Sequence, residues 1–534
     1  MNLSICQINP SLGDFKSNKE KILKYISKSK YLSSDIIIFP ELAICGYPPM
    51  DLIWEDGFIM ENDLVLNEVA NESNIPIIIG CIRAEKNAIY NSAAICFDGK
   101  LQKYCDKILL PNYDVFDEKR FFHSGQTPKV FRIPINDRSR KIGIQICEDM
   151  WDDDYNCKVS TLQKEMGAEL IINISASPYH ENKISERIEH VALKAKQLRL
   201  PFIYCNMIGG QEELIFDGSS FAISKDGLLL SQARSFKEDL KIVNLSSNKK
   251  HISFTTSREE EIFNALCLGV KDYFLKTGHK KTVLGLSGGI DSALVASIAV
   301  SALGKNNVYG ISLPSKFSSS HSLNDAKQLA TNLGIEYQVI KINSIIESFE
   351  TTLKPSFKNQ NSNIAEENIQ SRVRGNLLMA LANKFGWLVL STGNKTELAL
   401  GYCTLYGDMI GALSVIADLS KNDVYAVSKW INKHNQNCIP KNSLLKPPSA
   451  ELALNQVDPF DYSIISPLVD DIIEKQKPLS VLINEGFEES LVRDIYKKIK
   501  SNEYKRKQAP PALRVSSKAF GIGRRLPIVN NFNG

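Results

Sequence analysis

The sequence predicts an α/β protein built from two domains. A chain of 534 residues is too long for a single hydrophobic core, so two domains of about 250 residues each are expected. In the first half, short apolar runs alternate with amphipathic stretches, which is typical of helices that cover the faces of a mixed sheet. In the second half, a buried strand breaks on two glycines and restarts as a helix at residues 291–302, so strand and helix alternate there as well.

The elements of the first half follow from hydrophobic periodicity. Strands are expected at residues 3–8, 35–39, 75–82, 93–97, 141–146, 170–174, 202–205 and 221–224. Helices are expected at residues 17–30, 64–72, 161–167 and 184–198. The dipeptides Asp98-Gly99 and Asp226-Gly227 predict two hairpin turns.

The boundary between the two halves is expected in a polar stretch that lacks a helix or strand period. Residues 245–261 have this character, and a helix is expected to begin near Ser257, with Glu260 as a capping-box partner. We therefore predict a first domain at residues 1–245, a linker at 246–258 and a second domain at 259–534.

Composition places the chain among globular proteins without a membrane span. Hydrophobic residues make up 43% and charged residues 23% of the chain, and no apolar run approaches the length of a membrane span. The net charge of +4 is spread along the chain and does not require a nucleic-acid partner. The 11 cysteines form no CxxC pair and no metal spacing with the 7 histidines, which argues against a zinc site. Free thiols and the lack of a signal-peptide pattern indicate the cytoplasm.

The stretch Val-Leu-Gly-Leu-Ser-Gly-Gly-Ile-Asp-Ser at residues 283–292 is the most specific motif. Gly288 and Gly289 let backbone N–H groups approach an anion, and the helix N-terminus adds its positive end. Ser287 and Ser292 add hydroxyl donors, and Asp291 beside a phosphate implies a cation such as Mg²⁺ between them. No Gly-Lys-Ser/Thr follows, so this is not a Walker A loop. It resembles the pyrophosphate loop of enzymes that adenylate a substrate; the alternative is an ordinary glycine-rich turn.

Other polar residues of the second half also stand at strand ends or on one helix face. Thr392 and Glu397 follow a buried strand, where Glu397 offers a second carboxylate for the metal. Lys421 places a cation near the expected phosphates. Asn368 and Arg372 share one helix face, and the arginine can hold a phosphate through two hydrogen bonds. A solvated helix face is the alternative for that pair.

Three residues of the first half have the chemistry of amide hydrolysis. Glu41, Lys107 and Cys147 are each expected where a strand ends, so that their side chains can converge on one rim of a sheet. A thiol at such a turn is expected to be exposed and deprotonated beside a cation. A carboxylate can act as a general base and a lysine can stabilise an oxyanion. Taken singly, each residue has a structural explanation: a core cysteine, a loop cap and a surface lysine.

The motifs around these three residues resemble the nitrilase superfamily. Phe-Pro-Glu-Leu at 39–42, Lys-Ile-Leu-Leu-Pro at 107–111 and Ile-Cys-Glu-Asp at 146–149 are similar to that superfamily's motifs and occur in the same order. The resemblance implies an α-β-β-α sandwich and a covalent acyl-enzyme. The Glu–Lys–Cys triad of the superfamily then corresponds to Glu41, Lys107 and Cys147.

Two further segments point to a glutaminase branch. Residues 110–118 and 209–219 resemble the amidotransferase domain of glutamine-dependent NAD⁺ synthetases. By that resemblance, Tyr113, Glu118 and Ser177 are expected to bind glutamine.

The second half resembles the synthetase domain of the same family, so the resemblance extends along the whole chain. It implies a Rossmann-like parallel-sheet domain of the adenine nucleotide α-hydrolase type. The expected ATP contacts are Ser287, Gly288, Gly289, Asp291, Ser292, Thr392 and Lys421. The expected deamido-NAD⁺ contacts are Asn368, Arg372, Glu397 and Lys505. The expected Mg²⁺ ligands are Asp291 and Glu397.

The implied activity is an ATP- and glutamine-dependent amidation of deamido-NAD⁺ to NAD⁺, which yields AMP, pyrophosphate and glutamate. The implied partners are these small molecules and other copies of the chain, in at least a dimer. At Leu405 the ammonia-only members of the family carry a lysine; leucine cannot bind phosphate, so that contact must be absent or supplied elsewhere.

Three other interpretations remain open on sequence grounds. The first is another adenylating amidotransferase, such as a GMP or asparagine synthetase, although these resemble the second half only in the pyrophosphate loop. The second is a tRNA-thiolating enzyme, which should have a basic face and paired cysteines. The third is a non-catalytic nitrilase-like platform on an ammonia-dependent synthetase.

Overall fold

The computed structural model describes residues 1–245, 256–358, 360–434, 437–453 and 456–532. The chain divides into two compact units, Met1–Thr256 and Ser257–Gly534. Most of the predicted linker, residues 246–255, lies outside the described residues. Ser257 begins the next helix as expected, because its side chain accepts a hydrogen bond from the Glu260 N–H. Among the described residues, every helix is too short or too polar to cross a lipid bilayer.

The first unit contains two six-stranded sheets and a separate two-stranded hairpin. The strands are β1 Asn2–Gln7, β2 Ile36–Ile38, β3 Ile77–Glu85, β4 Ala88–Phe97, β5 Lys100–Asp106, β6 Val130–Ile135, β7 Arg138–Ile146, β8 Leu170–Ser175, β9 Phe202–Asn206, β10 Ile208–Gln211, β11 Leu214–Asp217, β12 Phe221–Ile223, β13 Leu229–Gln232 and β14 Asp239–Asn244. The first sheet has the order β14-β1-β2-β3-β4-β5, and the second has the order β13-β12-β9-β8-β7-β6. Strands β10 and β11 form the hairpin.

The two sheets pack face to face, and helices cover their outer faces. Buried strands therefore carry apolar side chains on both faces. On β8, Ile172 and Ile174 enter the core shared with the first sheet, whereas Ile171 packs on the outer side with Val191 and Ala195 of a helix. Such strands appear in the sequence as continuous apolar runs rather than as alternating ones.

Helices cover the outer faces and complete an α-β-β-α sandwich, as predicted. They are α1 Phe15–Tyr31, α2 Asp56–Asn71, α3 Glu118–Phe121, α4 Val159–Glu165 and α5 Lys183–Leu198. Helix α2 packs on β3 and β5, while α4 packs on β7 and α5 on β12. Short 3₁₀ turns lie at Met50–Trp54, Cys147–Met150 and Asp152–Asp154.

Most predicted elements of this unit are confirmed, and the differences have physical reasons. Helix α2 begins eight residues earlier than predicted. Asn62 interrupts the apolar pattern of its buried face, and this polar side chain is buried because it exchanges two hydrogen bonds with the main chain of Ile82. Strands were not predicted at β5, β6, β10, β11, β13 and β14. Several of these lie at sheet edges, where polar residues interrupt the apolar pattern. Both predicted Asp-Gly hairpin turns are present, between β4 and β5 and between β12 and β13.

The second unit is built on one parallel five-stranded sheet, with the order β17-β16-β15-β18-β19. Its strands are β15 Thr282–Gly285, β16 Val308–Ser312, β17 Glu336–Val339, β18 Leu388–Ser391 and β19 Leu413–Ser414. Its helices are α6 Arg258–Lys276, α7 Ile290–Leu303, α8 Ser320–Leu333, α9 Asn343–Phe357, α10 Ile364–Phe385, α11 Lys395–Leu400, α12 Lys421–His434, α13 Lys441–Leu445, α14 Tyr462–Ile473, α15 Leu479–Asn484, α16 Glu489–Ser501 and α17 Glu503–Arg506. A 3₁₀ turn at Lys305–Asn307 precedes β16.

The strand order of this sheet fixes where a ligand can bind. From β15 the chain moves to β16 and β17, and it then returns to add β18 on the other side of β15. Helices α9 and α10 pack on one face, and right-handed crossovers place α7 and α8 on the other. The carboxyl ends of β15 and β18 therefore lie at the switch point of a doubly wound sheet, where a crevice opens. The Rossmann-like parallel sheet is as predicted.

The fold makes one strong demand at Gly80, in the middle of β3. A Cβ at this position would collide with the main chain of Pro40, Glu41 and Leu42. We predict that Gly80→Ala lowers the free energy of unfolding by about 1–3 kcal/mol, because the 40–42 loop must move to make room. Urea denaturation measures this change.

The matched control is Gly57→Ala, at the start of α2, where a Cβ meets no atom within 4 Å. This variant should be neutral or more stable by roughly 0.5–1 kcal/mol, because alanine favours a helix over glycine. Equal stability of the two variants would show that the close approach at Gly80 is unimportant.

Two candidate active sites

Cys147 lies at the turn that follows β7, and it is buried rather than exposed. Its side chain is only 5% accessible, and its φ of 45° falls in the left-handed region, which is rare for a non-glycine residue. The expectation of an exposed, deprotonated thiol is therefore wrong. Burial, followed by the charge of Glu41, raises the pKa of Cys147 well above its ordinary value, although Lys107 opposes this shift. The thiol consequently needs a base to remove its proton.

Glu41 and Lys107 meet inside the same unit, as the sequence predicted. Glu41 follows β2 and Lys107 follows β5, and the Lys107 Nζ donates a hydrogen bond to Glu41 Oε1 at 2.8 Å. A second bond of 2.8 Å joins the same ammonium to Glu118 Oε1. All three side chains are at most 5% accessible. One buried cation is therefore shared by two carboxylates.

The other contacts of the two carboxylates hold them in fixed positions. Glu41 Oε1 accepts a bond of 2.7 Å from the Asn91 amide, and Oε2 accepts one of 2.7 Å from the Ala176 N–H. Tyr47 donates its hydroxyl to Glu118 Oε1 at 2.9 Å. Asn91 and Tyr47 were not predicted. Only long-range pairing brings them here, so no local sequence signal marks them.

The electrostatics of this cluster follow from its burial. Burial lowers the pKa of Lys107, but the charges of Glu118 and Glu41 outweigh it, so the pKa lies well above the ordinary lysine value. Burial, together with the charge of Glu41, raises the pKa of Glu118 to about 7, although Lys107 opposes the rise. The two carboxylates therefore favour the ammonium form of Lys107, and the pKa of Glu118 is shifted toward neutrality.

The predicted glutamine contacts occupy two different environments. Tyr113 is 52% exposed and donates its hydroxyl to both oxygens of Glu148 at 3.1 Å. Ser177 is buried and anchored, since its N–H donates to Asn206 Oδ1 at 2.9 Å and its hydroxyl accepts from Arg187 Nε at 3.2 Å.

Two charged residues near Cys147 were missed as functional candidates. Glu148 accepts a further hydrogen bond of 2.8 Å from Tyr155, so it is a buried carboxylate held by two phenols. Lys183 opens α5, and its ammonium lies 4.4 Å from the centre of the Trp151 ring. Burial, followed by the charge of Arg187, lowers the pKa of Lys183. Glu148 could have been found from the sequence, because it directly follows Cys147. No local feature of the sequence marks Lys183 as part of this site.

In the second unit, residues 286–289 join β15 to the first turn of α7, which holds Asp291 and Ser292, as predicted. The hydroxyls of Ser287 and Ser292 lie 3.2 Å apart, and the Gly289 N–H donates to Ser287 Oγ at 3.2 Å. Gly288 adopts a φ of 79°, and a Cβ there would collide with the Ser322 main chain. Its carbonyl accepts a hydrogen bond from Ser443 Oγ at 2.9 Å. Gly288 shapes the turn beneath the loop.

Asp291 and Glu397 share one lysine beside this loop. The Lys421 Nζ donates to Asp291 Oδ2 at 2.6 Å and to Glu397 Oε1 at 3.2 Å. Asn394 donates its amide to Asp291 Oδ1 at 2.9 Å, and its own N–H donates to Glu397 Oε2 at 3.3 Å. Burial and the charge of Asp291 raise the pKa of Glu397 to about 7, against the opposing charge of Lys421.

These groups line a cleft of about 310 Å³ at the carboxyl ends of β15 and β18. The predicted residues that line it are Ser287, Gly289, Asp291, Ser292, Thr392, Glu397 and Lys421. Arg374 also lines it and was missed: its Nε donates to the Leu313 carbonyl at 3.0 Å, and burial lowers its pKa to about 10. The sequence analysis singled out Arg372 on the same helix, two residues away, and that residue is exposed.

The remaining predicted residues converge on the 401–408 loop. Arg372 Nε donates to the Leu405 carbonyl at 3.2 Å, and Asn368 Oδ1 accepts from the Thr404 hydroxyl at 2.7 Å. Lys505 donates to the carbonyls of Gly401 and Cys403, each at 2.8 Å. Asn368 and Arg372 therefore do share one helix face. Leu405 stands where the sequence comparison expected a lysine in ammonia-only members of the family, and its main-chain carbonyl accepts the hydrogen bond from Arg372.

Family models match both units. A carbon–nitrogen hydrolase model matches residues 2–249, and an NAD synthase model matches residues 262–509. A glutamine-dependent NAD⁺ synthetase of Synechocystis sp. is 42% identical over 99% of both chains. The enzyme of the same name from Thermotoga maritima is 39% identical, over 100% of this chain and 99% of its own.

Solved structures agree with these matches. The glutamine-dependent NAD⁺ synthetase of Acinetobacter baumannii, in complex with adenosine diphosphate, aligns with a TM-score of 0.79 at 35% identity and covers 99% of this chain and 98% of its own. One from Cytophaga hutchinsonii has the same fold, with a TM-score of 0.85 at 22% identity over 99% of this chain and 98% of its own. On this evidence the chain belongs to the family of glutamine-dependent NAD⁺ synthetases.

Proposed function

We propose that this chain is a carbon–nitrogen ligase that converts deamido-NAD⁺ to NAD⁺ with ATP and glutamine, releasing AMP, pyrophosphate and glutamate. The observation that carries the proposal is that each unit holds its own buried set of reactive groups. The first unit has a thiol beside a lysine shared by two carboxylates, and the second has a phosphate-type loop beside a second such lysine. Full-length relatives bearing both activities in their name support the combination.

The first site would release ammonia from glutamine through a thioester. Glu41 takes the proton of Cys147 as the sulfur attacks the side-chain amide, and Lys107 stabilises the oxyanion of the tetrahedral intermediate. Ammonia leaves with the proton, and Glu41 then activates the water that releases glutamate. Because the pKa of Cys147 is raised, the reaction depends on a base within reach rather than on a standing thiolate.

Glutamine also needs partners for its charged α-groups. Glu148, held by Tyr113 and Tyr155, suits the α-ammonium. Lys107 is fully enclosed by Glu41 and Glu118, so we assign the α-carboxylate to Lys183, whose single carboxylate partner is the half-exposed Glu186 at 3.3 Å among the described residues. Glu118 and the anchored Ser177 complete the glutamine contacts that we assign.

The second site would adenylate the nicotinate carboxylate of deamido-NAD⁺. Ser287, Gly289 and Ser292 hold the phosphates of ATP, and Thr392 and Lys421 complete the ATP contacts. Gly288 stays in this set as a main-chain N–H contact to the phosphates, while its carbonyl is held by Ser443. The carboxylate attacks the α-phosphate, pyrophosphate leaves, and ammonia then displaces AMP from the adenylate. Arg374, which also lines the cleft, adds a further cation beside these groups.

Mg²⁺ fits the donor set that the cleft provides. Asp291 and Glu397 both offer carboxylate oxygens, the ligands that Mg²⁺ prefers, and both line the cleft. Both carboxylates also accept hydrogen bonds from Lys421. A bound Mg²⁺ would therefore neutralise part of the negative charge that Lys421 balances in its absence. When bound, the ion would neutralise part of the negative charge on the ATP phosphates.

For deamido-NAD⁺ we assign the contacts Asn368, Arg372, Glu397 and Lys505. Three of them, Asn368, Arg372 and Lys505, meet at the 401–408 loop.

We also propose a division into domains 1–245 and 259–534 with a linker at 246–258, an assembly of at least two copies, and a cytoplasmic location. Free ammonia is mostly ammonium at neutral pH and is then not nucleophilic, so shelter from water after its release makes chemical sense.

Replacing Cys147 tests the first site and the non-catalytic alternative together. We expect Cys147→Ala to lower glutamine-dependent NAD⁺ formation by at least about 10³-fold, because the covalent route is lost. Ammonium-dependent formation should stay within about twofold of wild type. Cys157→Ala is the control, since this cysteine is partly exposed ten residues further on. A Cys147→Ala enzyme that still uses glutamine would exclude this thiol as the nucleophile.

Replacing Lys421 tests the second site. We expect Lys421→Ala to reduce NAD⁺ formation from either nitrogen source by about 10²–10³-fold, since the cation beside the phosphates is lost. Lys429→Ala, an exposed lysine on the same helix, is the control and should behave as wild type. A loss confined to the glutamine reaction would contradict the assignment.

Replacing Lys183 separates glutamine recognition from catalysis. Loss of a charge-assisted contact predicts that Lys183→Ala raises the KM for glutamine about tenfold or more, with little change in kcat. Steady-state glutamate release measures both constants. Lys196→Ala, exposed on the same helix, is the control. A fall in kcat at unchanged KM would instead assign Lys183 to the chemical step.

A further inference from the structure

The buried carboxylate of Asp149 joins two separate segments of the first unit. This residue is 1% exposed and lies in the turn that begins with Cys147. Its Oδ1 accepts hydrogen bonds from the N–H groups of Ile108 and Leu109, at 3.0 and 2.8 Å. Its Oδ2 accepts one from the Ile146 N–H at 3.0 Å. The three donors are main-chain groups directly after Lys107 and directly before Cys147.

The two segments belong to different sheets of the sandwich. Lys107 follows β5, an edge strand of the first sheet, whereas Cys147 follows β7 in the second sheet. Ladder hydrogen bonds within a sheet therefore do not set the spacing of these two residues. A contact of 3.4 Å between the Cys105 thiol and the Ile144 carbonyl also crosses between the sheets, but a thiol is a weak donor.

We propose that Asp149 is a positioning residue of the glutaminase site, which fixes the distance between the Lys107 ammonium and the Cys147 sulfur by tying both main chains to one carboxylate. The inference rests on the proposed function, because it assigns a part in glutamine hydrolysis. Asp149 itself touches no reacting atom and acts through the two residues that it holds.

Only a carboxylate can satisfy this arrangement. Three N–H donors need three acceptor lone pairs on two oxygens, and an amide side chain would turn its NH₂ group toward at least one of them. Charged acceptors also form stronger bonds to main-chain N–H groups than neutral ones do. Burial raises the pKa of Asp149 to about 6, and the main-chain bonds and Lys107 oppose the rise, so the carboxylate is ionised in neutral solution.

Asp152 provides a matched control close by. It is 2% exposed, accepts from the Ser160 N–H at 3.1 Å, and pairs with the Lys194 ammonium. Like Asp149 it is a buried, hydrogen-bonded aspartate just after β7. It ties α4 and α5 to the sheet, and neither Lys107 nor Cys147 is among its partners.

The experiment compares Asp149→Asn and Asp152→Asn in the full-length enzyme. Glutamate release from glutamine is measured with deamido-NAD⁺ and Mg·ATP present, and ammonium-dependent NAD⁺ formation is measured in parallel. We expect Asp149→Asn to lower the kcat for glutamate release by about 100-fold, since a misplacement near 1 Å costs about this much, with KM changed less than threefold. Ammonium-dependent formation should stay within about twofold, and Asp152→Asn should keep its kcat within about fivefold of wild type.

The rate of Cys147 alkylation by iodoacetamide gives a second readout. It should change in Asp149→Asn and not in Asp152→Asn, because only the first variant moves the thiol relative to Lys107. If Asp149→Asn does not fold, Asp149→Ser, which has no NH₂ group to face the main-chain donors, is measured in its place and should also lower the kcat for glutamate release relative to wild type. A kcat within threefold of wild type in the folded Asp149 variant would overturn the proposal. So would equal losses in the two aspartate variants.

Failure of this inference is distinguishable from failure of the proposed function. If wild type releases no glutamate, or if Cys147→Ala releases it as fast as wild type, the glutaminase assignment itself is wrong. If wild type hydrolyses glutamine through Cys147 and Asp149→Asn does so equally well, only the positioning role is wrong.

Discussion

A buried lysine shared by two carboxylates is the constraint around which the first unit is organised. Removing the Lys107 ammonium from water is costly unless partners surround it, and Glu41 and Glu118 provide those partners at 2.8 Å. Two carboxylates for one ammonium leave an excess negative charge, and this excess contributes to the rise in the pKa of Glu118 to about 7. Each carboxylate therefore needs further donors, which Asn91, Tyr47 and the Ala176 N–H supply.

The second unit has the same electrostatic arrangement on an unrelated fold. Lys421 bridges Asp291 and Glu397, and the pKa of Glu397 is again raised to about 7 by burial and a neighbouring carboxylate. The chemical use differs. In the sandwich, the excess negative charge surrounds a thiol that must lose a proton. In the parallel sheet, it faces a cleft where a dication and phosphates suit the surplus of oxygen ligands.

The sequence predicted the strand ends well and the side-chain environments poorly. Apolar runs mark buried strands, so Glu41 and Cys147 could be placed at the ends of β2 and β7, whereas β5, the strand before Lys107, is too polar to be recognised in this way. The burial of the Cys147 thiol could not be predicted, because it depends on how the second sheet packs against the first. Arg374 illustrates the same limit: it and Arg372 stand two residues apart on one helix, and only the packed helix shows which of them enters the cleft.

The spacing between the sheets connects these points. A thiol with a raised pKa gains little from a nearby cation alone, so its reactivity depends on a base and an oxyanion partner at fixed distances. Glu41 and Lys107 lie on the first sheet and Cys147 on the second, so those distances depend on links that cross the sandwich. Such links include main-chain N–H groups bound to buried carboxylates: the Ala176 N–H to Glu41, and the Ile108 and Leu109 N–H groups to Asp149, which also holds the Ile146 N–H beside Cys147. Because main-chain N–H groups bind charged acceptors more strongly than neutral ones, the carboxylates around the thiol set the geometry of the site as well as its charge.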